Sequence, residues 1–90
     1  MIFVMGFYNI VIEDKVKEKI LTKHNVKAKE IKEVLLSNPL VLRAKYQRYI
    51  AIGKSERYLT IIFESKKDVT NIITAYPSSE AQIRLHKRKR

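Results

Sequence analysis

The chain offers a short list of chemically capable side chains. Two histidines, five tyrosines and an excess of ammonium and guanidinium groups are set in 90 residues without a cysteine. The missing thiols exclude a disulfide framework, a thiolate zinc site and a cysteine nucleophile. With two histidines left as soft ligands, no structural metal and no cofactor are expected. His24 directly follows Lys23 and can serve as an acid or base near neutral pH, or interact with the last carbonyls of a helix. Glu33 is either a solvated residue or a carboxylate facing a groove. Arg48, Arg57 and Tyr76 fall at the ends of strand-like runs. If those runs align, cations and a phenol gather at one sheet edge, an arrangement suited to a phosphodiester, because guanidinium groups hold phosphate oxygens bidentately and a phenol relays a proton.

Strong enzyme motifs are missing. With only Gly6 and Gly53 there is no phosphate-binding glycine loop, and there is no paired-histidine helix or acid cluster for a divalent ion. A nuclease made from these residues works without a metal. RNA permits that, since its own 2′-hydroxyl is the nucleophile and the protein need only orient it, move protons and stabilise the developing charge. DNA lacks that hydroxyl.

These residues have to be positioned by one small core, since 90 residues leave no room for two. Nineteen Lys plus Arg against nine Asp plus Glu give +10 at pH 7, which favours a polyanionic partner such as RNA, DNA or an acidic protein. Residues 1–12 are apolar but too short to span a bilayer at about 20 residues per helix. They lack a basic leader and a cleavage site, so a cytoplasmic protein with no membrane partner is expected.

Residues 2–12, rich in β-branched and aromatic types, predict a first strand or bent pair. Residues 13–24 predict a helix, with Glu13 and Asp14 at its start, Val16, Ile20 and Leu21 at helical spacing, and Lys23 and His24 at its end. Asn25 supplies a left-handed cap. A second helix is expected over 27–36, from Ala28, Ile31, Val34 and Leu35 on one side, and Asn38-Pro39 ends it. Three strands follow, over 41–52, 58–64 and 69–76, with loops short enough for an antiparallel meander. Ser79 then caps a final basic helix carrying Ala81, Ile83 and Leu85. The fold class is therefore α+β, ordered β-α-α-β-β-β-α, with an antiparallel sheet packed on two N-terminal helices. Because the run 59–63 is apolar on both faces, the second face must be met by the last helix or a partner chain. The basic run Arg84, Lys87, Arg88, Lys89 and Arg90 is expected to anchor phosphates.

Three stretches in order are similar to a known family: Lys23-His24-Asn25-Val26 with Glu33, then Arg48-Tyr-Ile-Ala-Ile-Gly53 with Thr60-Ile-Ile-Phe63, then Ile72-Ile-Thr-Ala-Tyr-Pro77. Over residues 13–84 the chain resembles the BrnT family of small ribonuclease toxins, related in fold to RelE-like mRNA interferases. Lys23, His24, Val26 and Arg48 match the family pattern. Asn25 stands where the family usually has Gly, and Tyr76 where it typically has Arg. Ile12 and Glu13 hold the places of an aromatic-Asp pair.

The resemblance implies a toxin endoribonuclease of a type II toxin-antitoxin pair, neutralised by a separate antitoxin protein and reaching DNA only through that antitoxin. Lys23, Arg48 and Arg57 would bind the phosphate, and His24, Glu33 or Tyr76 would handle protons. The alternative is a non-catalytic RelE-like module that retains antitoxin and RNA binding.

Overall fold

The computed structural model describes Phe7 and residues 9–89. The elements are β1 (Asn9–Val11), α1 (Asp14–His24), α2 (Ala28–Leu36), β2 (Leu40–Arg43), β3 (Arg48–Lys54), β4 (Tyr58–Lys66), β5 (Val69–Pro77) and α3 (Glu80–Lys89). One sheet runs in the order β1-β5-β4-β3-β2, antiparallel from β2 to β5, with β1 added parallel to β5. The α+β class and the sheet on two helices are as expected. The order gains a strand, because the single run expected over 41–52 is two strands joined by a tight turn. Of the first strand, residues 9–11 pair as expected; residues 1–6 and 8 lie outside the described residues.

The helix ends follow their sequence signals. Asp14 opens α1 and Lys23 and His24 close it, complementing the helix dipole. Asn25 then turns left-handed at φ 53°, and its N–H donates to the Leu21 carbonyl at 3.0 Å. At the end of α2, the Ser37 N–H and hydroxyl both donate to the Val34 carbonyl. Asn38 reverses the chain at φ 59° before Pro39 enters β2.

Strand register assigns the faces. Val41, Ala51, Leu59, Ile61, Phe63, Ile72 and Ala75 point to one side, where they are buried with Ile20 of α1, Ile31, Val34 and Leu35 of α2, and Val26 between the helices. Phe63 is central, edge-on to Phe7 and stacked on Tyr49, each with ring centroids 5.5 Å apart. Each fully buried Val, Leu, Ile or Phe of this set contributes about 1.5–3 kcal/mol of hydrophobic burial.

The opposite face carries the row Leu40, Ile52, Thr60 and Tyr76. Leu40, Ile52 and Thr60 are buried there beside α3, which packs on β3. The last helix thus covers one end of the second face. The next row, Leu42, Ile50, Ile62 and Thr74, is only half-buried. One irregularity sets the outcome in β5: Ile62 pairs with Thr74 but Phe63 pairs with Ile72, so Ile73 is an extra residue. This bulge turns Ile72 into the core while Thr74 and Tyr76 point to the opposite face, whereas simple alternation places all three on one side.

Candidate active site

Among the described residues, β1 pairs with Val69, Thr70 and Asn71 of β5. Beyond Asn71 that edge of β5 is left to α1, and Lys19, Lys23, His24, Ile73 and Thr74 line a cleft of about 270 Å³ along it. At the top of this edge the His24 ring lies 5.9 Å from the Tyr76 ring, tilted by 52°. His24 and Tyr76, which the sequence offered separately, therefore come together where α1 ends and β5 ends, with Lys23 beside His24 on the wall of the cleft. The left-handed Asn25 stops α1 with His24 at this point, and the β5 bulge aims Tyr76.

Tyr76 is held from the α3 side by Gln82, which the sequence reading did not single out. Gln82 Nε2 donates to Tyr76 Oη at 3.2 Å, while Gln82 Oε1 accepts from the Ser79 N–H at 2.9 Å and from Thr60 Oγ1 at 3.0 Å. Thr60 has one proton, given to Gln82, so Ser78 Oγ donates to Thr60 across their 2.8 Å contact. Gln82 is also the third residue of the helix cap, its N–H donating to Ser79 Oγ at 3.2 Å. The Ser-x-x-Gln spacing of 79–82 was a readable capping box. Its second role, toward Tyr76, had no local signal.

Arg57 stands at the same end of the sheet as Tyr76 but is turned toward the α1–α2 corner. Its Nε donates to Glu30 Oε2 at 2.9 Å and its Nη2 to Glu30 Oε1 at 3.1 Å, a forked pair, and Nη2 also donates to the Asn25 carbonyl at 2.6 Å. Glu30 further accepts the Lys27 N–H at 3.1 Å. The Arg57 hydrogen bonds hold the Glu30 carboxyl below its ordinary range, against an opposing push from burial and with help from the Lys27 N–H. The same bonds raise Arg57. Glu33 is exposed and lines a separate cleft of about 400 Å³ with Asn25, Lys27, Glu30, Glu56 and Arg57. It is not among the residues of the His24 cleft.

Arg48 lies elsewhere again. It begins β3 opposite Glu64, with Arg48 Nε 3.5 Å from Glu64 Oε1. In an antiparallel hairpin the starts of successive strands fall at opposite ends, so Arg48 and Arg57 are separated by the length of β3, about 20 Å at ~3.3 Å per residue. The expected gathering of both arginines with the phenol at one edge does not occur. The basic run is not an extension beyond the fold: Arg84, Lys87, Arg88 and Lys89 lie on α3 and are exposed, with Arg84 3.4 Å from Glu80. Arg90 lies outside the described residues. Among the described residues no three His, Asp or Glu side chains come together as metal ligands, and no helix is long and apolar enough to cross a membrane.

No family model and no curated protein sequence matches the chain. Among solved structures the chain is similar to the ribonuclease toxin BrnT of Brucella abortus, with a TM-score of 0.68 and 18% identity over 80% of this chain and 97% of that one. The two share a fold.

Proposed function

We propose that this chain is a metal-independent endoribonuclease of the toxin kind, held in check by an antitoxin protein. The carrying observation is the contact of His24 with Tyr76 at one end of a BrnT-like fold, with Lys23 lining the adjoining cleft. In this reading Lys23 attracts the scissile phosphate. The ribose 2′-oxygen attacks phosphorus, the bond from phosphorus to the 5′-oxygen breaks, and His24 and Tyr76 carry the two protons involved. The products are a 2′,3′-cyclic phosphate and a 5′-hydroxyl. The +10 charge supplies attraction both for RNA and for an acidic antitoxin.

The purified chain, incubated with single-stranded RNA in excess EDTA, is expected to cleave it and leave cyclic-phosphate ends. Strict dependence on added Mg²⁺, or equal cutting of DNA, overturns the mechanism. The second reading, a non-catalytic module that binds RNA and antitoxin, is favoured by the engagement of Arg48 with Glu64 and of Arg57 with Glu30, which leaves the lysines Lys19 and Lys23, and no arginine, lining the cleft beside His24. RNA binding without cleavage in the same assay selects it.

A further inference from the structure

The Gln82 amide has one acceptable orientation. A backbone N–H can only donate, so the oxygen of the amide must face Ser79 N, and this leaves the NH₂ facing Tyr76. The Thr60 hydroxyl, turned by Ser78, adds a second donor to the same amide oxygen. Tyr76 Oη therefore receives a hydrogen bond from inside the protein, and its own proton is directed away from Gln82. A phenol held in this way has its proton pointing outward, toward a ligand, and the Gln82 NH₂ is already in place to meet the oxygen that proton leaves behind.

We infer that Gln82 is a positioning residue that fixes Tyr76 as the proton donor of the cleavage step, leaving His24 as the base. This rests on the endoribonuclease reading above. Neutral His24 takes the proton of the attacking 2′-hydroxyl. The phenol proton of Tyr76 goes to the departing 5′-oxygen as its bond to phosphorus breaks, and the resulting phenolate is held by Gln82 Nε2–H. Return of the proton from His24 to Tyr76 through solvent restores both groups. The inference also gives a reason for a tyrosine at this place: a phenol can both contact the phosphate and supply a proton, whereas a guanidinium is always charged and supplies none.

The test uses Gln82→Glu. A carboxylate keeps both acceptor bonds, to Ser79 N and Thr60 Oγ1, and completes a Ser-x-x-Glu capping box, so the fold and Tm are expected to hold. It can no longer donate to Tyr76; it accepts the phenol proton instead and turns it inward. On ordinary RNA, kcat is expected to fall ~10²-fold or more, as for loss of a general acid, with KM little changed. Tyr76→Phe should fall as far, and the double variant no further. On a substrate whose leaving oxygen is replaced by sulfur, which departs without a proton, both variants should recover to within a few fold of the unaltered chain. A Gln82→Glu protein that folds and cleaves RNA at the original rate overturns the assignment, as does a defect that persists on the sulfur substrate. Failure of the unaltered chain to cleave any RNA overturns the endoribonuclease reading itself, and the assignment with it.

Discussion

At the scale of single residues, the forked Arg57–Glu30 pair has a mechanical role. Arg57 ties β4 to the carbonyl of Asn25, the residue that follows His24, so the pair fixes the corner from which His24 reaches Tyr76. Glu30→Gln should remove the charge-assisted fork and cost about 1 kcal/mol, because the Arg57 side chain is 39% exposed and its attraction is partly screened by water. For a domain of this size that is a fall in Tm of ~4–8 °C in a thermal melt. The pH dependence has a definite sign. A carboxyl held below its ordinary value of 4.5 contributes stability that is complete above that value and is lost as the pH falls through the lowered one. Tm should therefore decline on acidification from about pH 4.5 downward, and Glu30→Gln should flatten that decline. If instead Glu30→Gln and Arg57→Lys leave Tm unchanged while slowing RNA cleavage, Arg57 acts on the phosphate.

At the scale of elements, helix ends and turns show where the sequence was legible and where it was not. α1 and α2 begin and end, and α3 begins, within a residue of where their acids, bases, Asn25, Asn38-Pro39 and Ser79 place them, because capping is local chemistry carried by particular side chains. The turn between β2 and β3 was missed for the converse reason. Tyr46 and Gln47 sit at φ 59° and 61°, with the Arg48 N–H donating to the Lys45 carbonyl at 3.2 Å, a tight hairpin turn of the kind that Asn-Gly normally marks. Neither residue advertises a turn, and each is held in a backbone region costly to a side chain. The double change Tyr46→Asn with Gln47→Gly should therefore raise Tm by roughly 4–8 °C, about 1 kcal/mol; an unchanged or lower Tm would show that the turn is not strained. The β5 bulge was equally invisible, since Ile72-Ile73 reads as an uninterrupted apolar strand, yet it decides which way Tyr76 points. Gly53 was legible as a strand-end residue, but its reason is tertiary: a Cβ there meets Pro39 Cβ and Val34 Cγ1, each at 3.0 Å. Gly53→Ala should force Val34 and Pro39 to give by a few tenths of an ångström and cost about 1–3 kcal/mol in denaturant unfolding.

At the scale of the whole molecule, two groups of exposed cations stand at opposite ends of the sheet. At the end holding Tyr76, α3 presents Arg84, Lys87 and Arg88 within an arc of roughly 100° at 100° per residue, on the side opposite Gln82 and His86. At the far end Lys45, Lys66 and Lys67 surround the β2–β3 and β4–β5 turns and are also exposed. A strand of RNA whose scissile phosphate rests between His24 and Tyr76 can run on along α3, while the far turns lie the length of the sheet away. Each phosphate contact to single-stranded RNA contributes about 0.7 to the slope of log affinity against log salt. Changing Arg84, Lys87 and Arg88 to Gln should therefore make that slope shallower by up to ~2. The exposed Arg84–Glu80 pair does not alter the expectation, because such i,i+4 pairs are weak and easily exchanged for a phosphate. Changing Lys45, Lys66 and Lys67 removes the same formal charge and should leave the slope nearly as it was. The measurement is RNA binding by fluorescence anisotropy over a series of salt concentrations, with thermal melts to verify that both triple variants are folded. Equal shallowing by the two variants would mean that net charge alone attracts RNA, with no preferred path across the molecule. Shallowing by the far-end variant only would place the RNA on the side away from His24 and Tyr76 and detach the binding surface from the proposed active site.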